Sequence, residues 1–194
     1  KPLKQAIAQD SKRPEAFVVM GYAFAAQNKL AESTKAYEKA RAFGSQERRL
    51  FQELSSVYDV QKKYAEAIGV YEAWLQISPN DSEMRHELGL SLLLMGQVPR
   101  AIQLLKQVIG ESNEPNQAKG DLAYAYARLG QHAKATPFLK ELYPKGLPYG
   151  LLIEFVQTFE KPKAALAFFD AFARQPLDAN HEKIRAHLVG LTQK

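Results

Sequence analysis

The chain has 194 residues, 46% hydrophobic and 24% charged, an ordinary balance for a folded protein with one core or a linear stack of small units. It has no cysteine, which excludes disulfides, thiolate metal sites and cysteine nucleophiles. The net charge of +5 raises nucleic acid as a partner class, so its distribution matters; no stretch approaches the roughly 20 apolar residues of a membrane-crossing helix.

The first segment with helical periodicity carries Phe17, Met20, Gly21 and Phe24: a large residue, a small one beside it, and a bulky one three further on. The pattern returns as Phe51, Leu54, Ser55 and Tyr58, then Arg85, Leu88, Gly89 and Leu92, then Lys119, Leu122, Ala123 and Tyr126, each time 34 positions later. A second segment keeps the same step. Small Ser33, Ala67, Ala101 and Ala135 precede by four the large Tyr37, Tyr71, Leu105 and Leu139, and Ala40, Trp74, Val108 and Leu142 follow three later. Small residues let two helices approach, and large ones three and four apart form the ridge that fills the facing groove.

Running the register backward places Leu3 and Ala6 at second-helix positions. Residues 1–13 therefore read as the C-terminal part of a preceding repeat, and the chain as a piece of a longer protein. Toward the other end, Pro144, Gly146, Pro148 and Gly150 break the register. A short helix over Leu151–Thr158 follows, and Pro162 suits the first turn of the next helix, which carries Ala165, Phe169 and Phe172. Beyond Pro176, Asp178 is placed as an N-cap for a helix through Ile184, Leu188 and Leu191, whose polar face holds Glu182, Lys183, Arg185 and Lys194. A solenoid needs such a terminal element to cover its last apolar face.

These positions resemble the tetratricopeptide repeat family, whose 34-residue unit has small residues at positions 8 and 20, aromatics at 11 and 24, and proline at 32. The unit 48–81 matches best, with Phe51, Leu54, Ser55, Tyr58, Ala67, Tyr71 and Pro79 in place. Arg85 and Lys119 depart from the aromatic expected at position 4, and Ser45 and Asn113 from the proline. The resemblance implies an all-α fold, a right-handed superhelical solenoid of helix-turn-helix repeats. Its units are 14–47, 48–81, 82–115 and 116–149, followed by a degenerate repeat over 150–176 and a capping helix over 177–194.

In this family the first helices line a concave surface. By register, the partner-binding positions here are Val18, Tyr22, Arg49, Glu53, Asp59, Glu83, His86, Glu87, Leu90, Leu94, Asp121, Tyr124 and Arg128. Across the full set of concave positions, Glu15, Glu53, Asp59, Glu83, Glu87 and Asp121 face only Arg49 and Arg128, a net of −4, so the remainder of the chain carries +9. The family's carboxylate clamp of Lys and Asn is absent, since Val18, Tyr22, Gln52, Glu53, Glu83 and Glu87 stand at those positions. An acidic, partly apolar trough suits a protein or peptide segment with Lys or Arg on its flanks.

No catalytic constellation emerges. His181 and His187 are six apart and do not share a helix face, and His132 stands where other units place Leu30, Tyr64 and Val98, which points to packing. His86 with Glu83 and Glu87 reads as a solvated surface cluster. There is no glycine-rich phosphate loop and no nucleophile elbow. The bases are dispersed and the aromatics occupy packing positions, which argues against nucleic acid as a partner. The expected role is a scaffold for protein–protein interaction, without cofactor or metal, in a multi-protein bacterial envelope assembly; the compartment stays open between periplasm and cytoplasm. The alternative is a homo-oligomeric structural module that docks through an end or through Phe168, Phe169 and Phe172.

Overall fold

A computed structural model describes residues 13–173 and 177–193. Leu3 and Ala6, read above as part of an earlier repeat, lie outside the described residues, as do Pro176 and Lys194. Eleven helices and no strand occur among the described residues, so the all-α expectation holds. In chain order they are α1 (Pro14–Ala26), α2 (Leu30–Ala42), α3 (Arg48–Val60), α4 (Tyr64–Ile77), α5 (Ser82–Leu94), α6 (Val98–Glu111), α7 (Asn116–Arg128), α8 (His132–Leu142), α9 (Tyr149–Val156), α10 (Pro162–Phe172) and α11 (Ala179–Thr192). First helices open at Pro14, Arg48, Ser82 and Asn116, and second helices at Leu30, Tyr64, Val98 and His132, so both series advance by 34 residues.

The turn between the two helices repeats as faithfully. Asn28, Lys62, Gly96 and Gly130, again 34 apart, all take positive φ. The next residue's amide then reaches back to a carbonyl five positions earlier, as in Lys63 N–H to the Tyr58 carbonyl (2.9 Å) and Gln97 N–H to the Leu92 carbonyl (2.8 Å). This is the left-handed helix terminus that satisfies the last-turn carbonyls. Glycine takes the conformation freely; asparagine tolerates it, and lysine at 62 accepts a steric cost.

The chain divides into two compact units, residues 1–100 and 101–194. In the first, α1 packs on α2, α2 on α3, α3 on α4 and α4 on α5. The small and large positions read from the sequence form its core: Ser33, Tyr37, Leu54, Ser55, Ala67, Tyr71 and Leu92 are all buried. The Ser33 hydroxyl donates to the Gly21 carbonyl (2.9 Å) and ties α2 to α1. Gly21 is required by space. A Cβ there would lie 2.2 Å from a ring carbon of the fully buried Tyr37, well inside contact distance. Gly21→Ala should therefore destabilise the first unit by about 1–3 kcal/mol through overpacking, although alanine is the better helix former by about 1 kcal/mol. Urea denaturation followed by circular dichroism checks this; an unchanged or raised midpoint would show that Tyr37 moves aside freely.

In the second unit α7 packs on α8, α9 on α10 and α10 on α11. Ala101, Leu105, Leu122, Ala123, Ala135 and Leu139 continue the buried pattern. The broken segment folds as α9, which opens at Tyr149, two residues before the expected start, directly after Pro148. Just before it, Leu147 donates its N–H to the Phe172 carbonyl (2.8 Å) in an isolated parallel bridge. Pro162 does occupy the first turn of α10, and the Asp178 carboxylate does cap α11, accepting from Asn180 and His181 N–H. The aromatic cluster is a correction. Phe168, Phe169 and Phe172 are buried, with Phe168 stacked on Phe155 at 5.9 Å, so they form the interior of this unit and offer no docking surface.

Candidate functional site

The first unit holds a cavity of about 630 Å³ built by α3 and α5 over a floor from α4. Arg48, Arg49, Gln52, Glu53, Ser56, Asp59 and Val60 come from α3, Tyr71 from α4, and Glu87, Leu90, Ser91 and Leu94 from α5. On each helix these residues, singly or in adjacent pairs, recur every three or four positions, so one face of α3 and one face of α5 form the walls. Of the thirteen partner-binding positions, Arg49, Glu53, Asp59, Glu87, Leu90 and Leu94 are brought together here.

The others part company. Val18 is buried at 4% exposure and offers no anchor to a partner. Tyr22 is half-buried, and the Arg49 guanidinium lies 4.5 Å from the centre of its ring and covers it. His86, expected at the surface, is buried, with Nδ1 4.0 Å from the Glu87 carboxylate. It is a packed histidine in α5 rather than part of a solvated cluster. Glu83 is exposed but stands outside the cavity, paired with Arg48 at 2.8 Å. Asp121, Tyr124 and Arg128 belong to the second unit. There Arg128 lies over Tyr124 (5.9 Å), which meets Phe155 edge-on, and both line a smaller cavity of about 310 Å³ with Glu154, Gln157 and Thr158. His132 packs as expected, stacked on Phe159 and hydrogen-bonded to Thr158 (2.8 Å); burial lowers its pKa.

The charge pattern is less acidic than a count of concave positions suggests. Arg48, which stands one position before the concave set, donates to both oxygens of Asp81 (2.6 and 3.1 Å), to Glu83 (2.8 Å) and to Gln52 (3.2 Å). Arg49 sits 3.8 Å from Glu53. Asp81 also caps α5 through Met84 N–H (3.1 Å) and accepts from the Trp74 indole (2.8 Å). Burial alone would raise the Asp81 carboxyl, but the hydrogen bonds from Arg48, Met84 and Trp74 outweigh it and hold the pKa at about 2.

Asp59 behaves oppositely. Its half-buried carboxylate accepts from the Ser91 hydroxyl (2.8 Å) and the Tyr71 hydroxyl (3.1 Å). Burial pushes its pKa up, and those two hydrogen bonds only partly offset the loss of water. Around it the rim is apolar and open: Val60 is 64% exposed and Leu94 58%. Arg48, Tyr71 and Ser91 were missed by reading concave positions alone. Asp81 offered a signal for Arg48, because an acid at a helix N-cap invites a basic neighbour from the preceding first helix. No group of metal-ligating side chains occurs among the described residues.

Comparison with known proteins agrees with the helical-repeat fold. Residues 60–142 match the family model of anaphase-promoting complex, cyclosome, subunit 3, which is of tetratricopeptide type. Among solved structures, YrrB, described as a TPR protein with an unusual peptide-binding site, superposes with a TM-score of 0.70 at 19% identity, over 98% of this chain and 99% of that one. MamA (residues 41 to end) from Desulfovibrio magneticus RS-1 gives 0.66 at 20% identity, over 72% of this chain and 79% of that one. A second MamA structure, from MSR-1, gives 0.63 at 24% identity, over 72% and 80%. No curated protein sequence matches the chain.

Proposed function

We propose that this chain, folded as a helical solenoid of tetratricopeptide type, is an interaction scaffold which holds a peptide or an exposed segment of a partner protein in the groove between α3 and α5. The observation that carries this reading is the cavity itself. It is large enough for several side chains, it is open, and it sets the exposed apolar side chains of Val60 and Leu94 beside carboxylates rather than scattering them singly over the surface. The peptide-binding site named for YrrB supports a groove of this fold as a place where peptides bind. By analogy with other scaffolds of this fold, we place the partner in a multi-protein bacterial envelope assembly.

Panning a random-peptide display library against the intact chain tests the reading. Recovered peptides should bind a Glu53→Lys/Glu87→Lys variant at least about tenfold more weakly, while far-ultraviolet circular dichroism stays unchanged. Peptides that bind both proteins alike would move the function away from the groove.

A further inference from the structure

The groove also carries a preference. We infer that the cavity between α3 and α5 takes a single arginine or lysine side chain from its partner, seated on Asp59, with an adjacent apolar residue on Leu90, Leu94 and Val60. This rests on the reading of the groove as a peptide site and names the chemistry that the groove selects.

The charged groups on the cavity wall are not equivalent. Arg48 is engaged by Asp81, Glu83 and Gln52, and all three contacts hold it at the N-terminal end of α3 and α5. Arg49 lies over the Tyr22 ring and beside Glu53. Both bases therefore already have acidic partners, which argues against a ligand carboxylate at that end. Asp59 differs: it receives hydrogens from two neutral hydroxyls, and among the described residues no cation pairs with it. An ionised carboxylate has about four acceptor sites, so hydroxyl donors leave room for an incoming N–H. A half-buried carboxylate deprived of water gains most from a cation, because attraction in the partly dry site offsets a desolvation already incurred.

The apolar rim supplies the second half of the recognition. Leu90 and Leu94 lie one turn apart on α5, and Val60 follows Asp59 on α3. The methylene stem of a lysine or arginine passes along such a surface with its charged end extended beyond it. Glu87, one turn before Ser91 on the same face of α5, adds negative potential at the mouth. A peptide whose basic residue is replaced by an acidic or a large uncharged one meets that potential without compensation.

Peptides recovered from the display library are the probe, synthesised with blocked termini and again with arginine replaced by citrulline or lysine by norleucine. The intact chain should bind the charged peptide at least about tenfold better than its neutral counterpart. Asp59→Asn should abolish that preference, bringing the two peptides to within about twofold, and the preference should weaken with added salt. Because Asp59 also bonds Tyr71 and Ser91, Glu87→Gln is measured in parallel; it should reduce the preference without touching those hydrogen bonds. Recovered peptides that lack a basic residue, or a preference unchanged in Asp59→Asn, would overturn the assignment while leaving the groove reading intact, provided that Leu94→Glu still abolishes binding. Peptides indifferent to Leu94→Glu would sink the groove reading itself.

Discussion

Replacing Tyr71 with alanine will cost the first unit about 3–5 kcal/mol. Tyr71 is 2% exposed, and its ring fills the space opposite the small Ser55 of α3, so its removal opens a cavity that neighbouring helices close only in part. The hydroxyl matters as well. It donates to Asp59, and its loss leaves a half-buried carboxylate with one hydroxyl donor fewer. Trp74, the single tryptophan of the chain, stands three residues later on α4 and reports locally, so its fluorescence in urea reads the loss directly. Tyr71→Phe separates the two contributions and should cost about 1 kcal/mol. A loss under 1 kcal/mol in Tyr71→Ala would mean that the ring does not fill the core as the register demands.

The second large effect belongs to Asp81. Asp81→Ala removes the N-cap of α5, worth about 1 kcal/mol, and strips the acceptor from the buried Trp74 indole N–H, which costs a further 1–3 kcal/mol by order of magnitude. Arg48 retains Glu83 and Gln52, so the guanidinium is not stranded. A total of about 3 kcal/mol is expected. The same residue sets a pH dependence. With the folded pKa held at about 2, below the unfolded value near 3.8, the folded state binds fewer protons, so this stabilisation is fully present above pH 4. It is lost as pH falls from about 4 to 2, to the extent of about 2 kcal/mol. Asp59 acts with the opposite sign, because its raised pKa makes ionisation costly in the fold, so its contribution falls as pH rises through that pKa. Denaturation midpoints from pH 2 to 6 for the natural chain and for Asp81→Asn separate the two. The variant should lose most of the acid-side slope, and an equal slope in both proteins would contradict the role given to Asp81.

The helical repeat was legible because packing is periodic. Small residues at Gly21 and Ser55 and large ones at Tyr37 and Tyr71 exist to set the distance between two helices, and that distance recurs with each unit. The turn at Lys62 was not legible, since lysine carries no sign of a left-handed conformation; only its alignment with Gly96 and Gly130 reveals it. For the groove, register fixes the direction of a Cα–Cβ bond but not how far a neighbour covers the side chain. Val18 and His86 share one register position and are both buried, while Gln52 at that same position is half-exposed and bonded to Arg48. Long side chains escape the pattern altogether: Arg48 lies beyond the concave set, yet its guanidinium reaches Asp81 and also pairs with Glu83, one of the acids counted for the groove. The burial of Phe168, Phe169 and Phe172 was hidden for a related reason. The bridge that brings Leu147 to Ala173 joins two segments with no strand pattern, at a place where prolines and glycines had already broken the repeat.

The most direct test of the groove is amide chemical-shift mapping of the intact chain with a peptide recovered by panning. Shifts should concentrate in α3 and α5, on Glu53, Ser56, Asp59, Val60, Leu90 and Leu94, with Trp74 and the buried residues of α2 little changed. Shifts centred on the outward faces of α2 and α4, or on the second unit alone, would contradict it and place the binding surface elsewhere on the chain.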